Sequence, residues 1–237
     1  MKKLFLALLM AVGFATAQAQ VTGNLGLTSD YRFRGISQTQ NGPAVQGGVD
    51  YAHKSGFYVG NWNSSVSTEV YTGGAGIESD VYAGFKKEIY KGVTIDVGSM
   101  NYFYPRYTNS NNPDGVSELY AGIGYGPVSV KYSQSLTNYF GIANSKGTGY
   151  YQADVNYPIA GSKISLLAHA GRTNVANQSA GDYNDYNFGV GYDLQGWNLA
   201  AKYYTNGDQT TAFKTANTVN GQKLYRNAAV LSVSKAF

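Results

Sequence analysis

The chain has 237 residues with 18 basic and 14 acidic side chains, a net charge of +4, 14% aromatic and 14% charged residues, and no cysteine. The near-neutral balance leaves no footprint for nucleic acid, and the lack of cysteine excludes a small exported domain stapled by disulfides. Twenty-two tyrosines and thirty glycines, beside a charged fraction well under the usual ~25%, suit a protein with two membrane–water interfaces more than an ordinary soluble domain.

Residues 1–19 open on Lys2 and Lys3, run apolar from Leu4 to Phe14 and end Ala17-Gln18-Ala19, the pattern of a cleaved secretory signal peptide. The apolar run is too short for a spanning helix, which needs ~20 residues. Cleavage after Ala19 leaves Gln20 to Phe237 as one barrel domain, with a net charge of +2 once the two lysines are removed from +4. A mean hydropathy of −0.29 reads as soluble, but strands of a membrane barrel are only half apolar and escape that measure.

The segment VTGNLGLTSDYRFRG (21–35) alternates: Val21, Leu25, Leu27, Tyr31 and Phe33 against Thr22, Asn24, Thr28, Asp30, Arg32 and Arg34. Successive side chains of a strand point to opposite faces, so this is a strand with one oily and one charged face. Read as a barrel strand, it turns Leu25, Leu27, Tyr31 and Phe33 to lipid and Asp30, Arg32 and Arg34 to the lumen. Alternation then recurs at 45–51, 77–86, 93–97, 118–125, 128–133, 151–157, 164–170, 186–192, 197–203 and 229–237. Residues 57–64 (FYVGNWNS) are also a strand, but Phe57 and Val59 compete with Tyr58 and Trp62 for the apolar face. The count is twelve, with ten and fourteen as the neighbouring even numbers.

Short links at 52–56, 87–92, 126–127, 158–162 and 193–196 take turns with long polar ones at 35–43, 65–76, 105–116, 137–148, 173–184 and 205–226. Strict alternation of short turns and long loops is the habit of an up-and-down transmembrane antiparallel β-barrel, with both termini on the periplasmic, short-turn side. A soluble β-sandwich also alternates, but gives no reason for the two loop classes to take turns.

The stretches SDYRFRGISQTQNGPAVQGG (29–48), SGFYVGNW (55–62), IESDVYAGF (77–85), ELYAGIGYG (118–126) and VKYSQS (130–135) together resemble the TorF family of porins, Gcw_chp-type outer-membrane proteins of proteobacteria. The resemblance implies a Gram-negative outer-membrane barrel with a transport role, and carries over no catalytic or ligand residues. Leu231, Val233 and the terminal Phe237 resemble the signal read by the barrel-assembly machinery; Lys235 departs from it, with a stem long enough to snorkel to headgroups.

The candidate lumen set is Asp30, Arg32, Arg34, Asp50, Glu78, Asp80, Asp96, Glu118, Lys131, Asp154 and Lys202. Rings of such charges set ion preference in a wet bore; alternatively they pair and fill it, as in small barrels. A narrow polar channel for small hydrophilic solutes or ions is the favoured reading, and the excess of carboxylates points to mild cation preference. The expected partners are outer-membrane lipid, lipopolysaccharide, the assembly machinery and the solutes. A non-conducting structural or adhesive barrel is the alternative. Catalysis is disfavoured: only His53 and His169 exist, no G-x-S-x-G elbow occurs, and Asp182, Asn184 and Asp185 read as a turn, not a calcium loop. No cofactor or metal motif stands out.

Overall fold

A computed structural model describes residues 20–71, 74–107, 111 and 115–237. The signal-peptide reading of residues 1–19 lies outside them. Twelve antiparallel strands close into a barrel in simple up-and-down order. In chain order they are β1 (Gln20–Thr28), β2 (Ala44–Ala52), β3 (Phe57–Ser65), β4 (Ile77–Tyr90), β5 (Val93–Phe103), β6 (Val116–Tyr125), β7 (Val128–Ser135), β8 (Gly149–Pro158), β9 (Ile164–Asn174), β10 (Tyr183–Leu194), β11 (Trp197–Gly207) and β12 (Ala228–Ala236).

Each strand is paired on both sides, which is what an apolar surrounding demands of backbone N–H and C=O groups. Closure comes from β1 and β12, where Leu27 lies opposite Val233 and Asn24 opposite Ala236. The backbone of Phe237 adds two hydrogen bonds with Gly23, at 2.9 and 3.0 Å. Gly23 leaves the space in which the Phe237 ring lies; a Cβ there would meet it at 2.7 Å.

The exterior is apolar. Val21, Leu25, Val45, Val49, Val81, Val97, Ile123, Val130, Leu166, Val190 and Leu231 all point outward and are exposed. Exposed aromatic rings gather toward the short-turn rim (Tyr51, Phe57, Tyr125, Tyr157, Tyr192, Trp197) and, on the long-loop side, at Phe103, Tyr151 and Tyr186. Such girdles mark the two interfaces of a membrane barrel. Leu231 and Val233 lie on this outer face, while Lys235 reaches back over the Trp197 ring at 5.1 Å. The facing of 57–64 is resolved: Phe57 and Val59 are outside, Tyr58 and Trp62 inside.

One expectation fails. The first wall strand stops at Thr28, and residues 29–43 turn into the bore instead of continuing along the wall. Tyr31 is buried and Phe33 packs in the same interior cluster, so neither faces lipid. Arg32–Phe33 and Ile36–Ser37 form a tiny hairpin closed by Arg34 and Gly35, whose φ values are +47° and +78°. Two positive φ values in a two-residue loop fit the right-handed twist of a hairpin. A period of two is common to wall strand and inner hairpin, which is why the alternation ran on past the true end.

Candidate functional site

The half of the bore toward the long loops is packed like a protein core. Tyr31, Tyr71, Tyr102, Tyr104, Val66 and Val116 are buried there, with Phe33, Trp62 and Phe140 packed against them. Trp62 meets the Tyr31 ring edge-on at 5.3 Å, and Phe33 meets Tyr102 at 5.4 Å. On the other side Ile36 joins Tyr183, Tyr225 and Phe213, the last carried by the short helix α1 (Thr211–Ala216) that Thr210 caps.

The charged residues of the inward segment are neutralised at this level. Arg34 reaches across the bore and forks onto Glu118 of β6, Nη1 to Oε1 at 2.9 Å and Nη2 to Oε2 at 2.7 Å, while its guanidinium lies 4.1 Å from the centre of the Tyr150 ring. Burial opposes the Arg34 charge, but Glu118 outweighs it and holds the guanidinium more firmly protonated than usual. Arg32 donates to Asp30 at 2.8 Å and to the carbonyls of Gly35 and Arg226 at 3.1 and 2.7 Å. Asp30 also accepts from Ser37 at 2.6 Å. Tyr71 donates to the Gln38 side chain; burial, then the nearby Glu78, pushes its hydroxyl well above the usual tyrosine range.

Glu78 and Asp80 on β4 are buried beneath the segment; Glu78 accepts from the Tyr31 hydroxyl at 3.1 Å, and neither carboxyl has an ion-pair partner among the described residues. Thus Asp30, Arg32, Arg34, Glu78, Asp80 and Glu118 come together as the polar framework of a plug. The first three sit on the inward segment and not on the barrel wall where the sequence placed them.

Toward the short turns the bore is less filled. Asp50, Asp96, Lys131, Asp154 and Lys202 point inward from β2, β5, β7, β8 and β11, each half-buried. The Tyr82 hydroxyl donates to Asp50 and the Tyr58 hydroxyl to Asp96, the latter at 2.7 Å. Tyr58 and Tyr120 are in hydroxyl contact. Lys131 lies over the Tyr120 ring at 5.3 Å.

Between this layer and the plug, His169, which parity places inside as a lumen polar residue, meets Tyr150 and Asp185, which the candidate lumen set omits. His169 Nδ1 lies 2.6 Å from Asp154 Oδ1 and its Nε2 3.0 Å from Asp185 Oδ1, with the Tyr150 hydroxyl also 3.0 Å from Nε2. Two carboxylates on the two ring nitrogens suit the two N–H groups of an imidazolium. Asp185 is not part of a turn: β10 begins at Tyr183, and the carboxylate is buried in the bore. The signal that could have found it was the parity of Tyr186 and Phe188, which puts 185 and 187 inside.

The Gcw_chp family, described as a bacterial protein of unknown function, matches residues 13–237. No curated protein matches the sequence. Among solved structures, the NanC porin is similar with a TM-score of 0.59 at 11% identity, over 92% of this chain and 99% of that one. The KdgM porin, solved in complex with disordered oligogalacturonate, gives a TM-score of 0.53 at 8% identity over 92% and 98%. At such identities the likeness is one of fold.

Proposed function

From the chain's membership of the Gcw_chp family, and from a fold shared with porins, we propose that it is an outer-membrane, porin-like channel of low conductance for small hydrophilic solutes or ions. The reading rests on one observation above all: beneath the plug, inward charges remain that no ion pair among the described residues neutralises, held in a closed cylinder with an apolar exterior. Buried charges are costly unless paired or hydrated, so Lys131, Lys202, Asp50 and Asp96 are supported best by a water-filled vestibule. The TorF resemblance belongs to the same proposal, as do export by the signal peptide, periplasmic short turns and termini, insertion by the barrel-assembly machinery through Leu231, Val233 and Phe237, and an outer-leaflet surrounding of lipopolysaccharide.

No catalytic role is proposed. His169 has both nitrogens engaged by carboxylates, and His53 meets Ser55 at 2.7 Å inside one exposed turn, with no acid bonded to it among the described residues. A general base needs a free nitrogen beside its substrate.

The packed long-loop half favours a second reading, a non-conducting structural or adhesive barrel. Single-channel recording in planar bilayers separates the two. We expect small discrete steps that enlarge in an Arg34→Met variant, whose plug has lost its cross-bore anchor. Silence from both proteins, with heat-modifiable mobility intact, overturns the channel in favour of the second reading.

A further inference from the structure

Four of the charges left over in the vestibule are sorted by side. Asp50 on β2 and Asp96 on β5 occupy one half of the ring of strands; Lys131 on β7 and Lys202 on β11 occupy the other. Neither lysine makes an ion pair among the described residues. Both feel the charge of Asp154, and Lys131 also feels those of Asp96 and Glu118, but the Asp154 oxygens are committed, Oδ1 to His169 and Oδ2 to Gln152, each at 2.6 Å. Glycines make room for the lysine stems along the wall: Lys131 faces Gly122, and Lys202 packs so closely on Gly189 that a Cβ there would meet its Cγ at 2.9 Å. On the acidic side each carboxylate accepts one tyrosine hydroxyl and no cation. The acidic half also carries Lys86 on β4, directly cross-strand from Asp96, which makes no ion pair among the described residues.

We propose that this layer of the bore is a recognition site for small zwitterionic solutes, which set their carboxylate toward Lys131 and Lys202 and their cationic end toward Asp50 and Asp96. The inference rests on the channel reading and gives it a substrate class. Asp30 and Glu118 pair with Arg32 and Arg34 in the plug, Glu78 and Asp80 are buried there, and Asp154 is engaged by His169 and Gln152, so the inward set leaves two carboxylates, Asp50 and Asp96, against two lysines, Lys131 and Lys202. What the solute meets is a field across the bore. A monovalent ion of either sign finds one favourable wall and one unfavourable one, whereas a zwitterion aligned with the field gains on both.

Swelling of proteoliposomes in L-proline, set against erythritol as a neutral solute of similar size, tests this. The expected proline-to-erythritol rate ratio is about fivefold above that of free diffusion, the scale of two solvent-screened ion contacts. It falls toward the diffusion value in Lys131→Met/Lys202→Met and in Asp50→Asn/Asp96→Asn. A ratio equal to free diffusion in the unaltered protein, or one unmoved by both double variants, overturns the site. Entry of erythritol without preference for proline refutes the zwitterion site and leaves the channel standing. If neither solute enters, the channel reading fails, and saturation-transfer NMR of proline on the detergent-solubilised protein decides the site alone: a signal lost in the lysine double variant supports it, and no signal overturns it.

Discussion

Arg34 shows how much a single side chain can be asked to hold. Its guanidinium and the Glu118 carboxylate are 6% and 3% exposed, and the two meet in a fork across the bore. A bidentate pair fixes geometry as well as charge. Removing one partner strands the other, which for a buried pair costs about 3–5 kcal/mol. Arg34→Met is therefore expected to lower the temperature at which the folded, fast-migrating form is lost on electrophoresis, with Arg34→Lys in between because an ammonium restores charge but not the fork. An unchanged transition in Arg34→Met would mean that the pair contributes nothing to holding the plug. The sequence turned this arginine toward the lumen but set it on the barrel wall, and it could not name its partner, since residues 34 and 118 are joined only by closure of the cylinder.

At the scale of elements, hydrophobic parity was legible for nearly every wall strand, because lipid on one side and water or protein on the other impose a strict period of two. The inner hairpin was not legible, for the same physical reason. Tyr31 and Phe33 alternate with Asp30, Arg32 and Arg34 whether the apolar face meets lipid or an aromatic core. The one local cue was Arg34-Gly35, the dipeptide that makes the turn. Gly35 is held at φ +78°, and a Cβ there would come within 2.3 Å of the Asn206 side chain and 2.7 Å of Asp185 Cβ. Gly35→Val combines backbone strain of order 1–3 kcal/mol with that clash. It is expected to unseat the hairpin while leaving the barrel closed, read out as protease cleavage within 29–43 of otherwise intact, heat-modifiable protein. Resistance equal to the parent's would show that the hairpin tolerates the side chain.

For the whole molecule, the outward apolar belt, the alternation of short and long connections and the pairing of first with last strand describe one cylinder. Its long-loop half is filled, and its short-turn half holds Asp50, Asp96, Lys131 and Lys202 half-buried and without ion pairs among the described residues. The division between the halves was hidden in the sequence because loop residues such as Tyr104, Tyr139, Phe140 and Phe213, which complete the filled half, carry no periodic signal of their own. The two tryptophans report on the cylinder from opposite sides: Trp197 lies exposed on the outer face near the short-turn rim, and Trp62 points inward against Tyr31. Fluorescence quenching by brominated phospholipid in reconstituted vesicles, on Trp62→Phe and Trp197→Phe variants that each retain one tryptophan, separates inside from outside directly. Strong quenching of Trp197 and little or none of Trp62 is the expected result; equal quenching of both, or quenching of Trp62 alone, would contradict the assignment of an apolar exterior and an enclosed polar and aromatic bore.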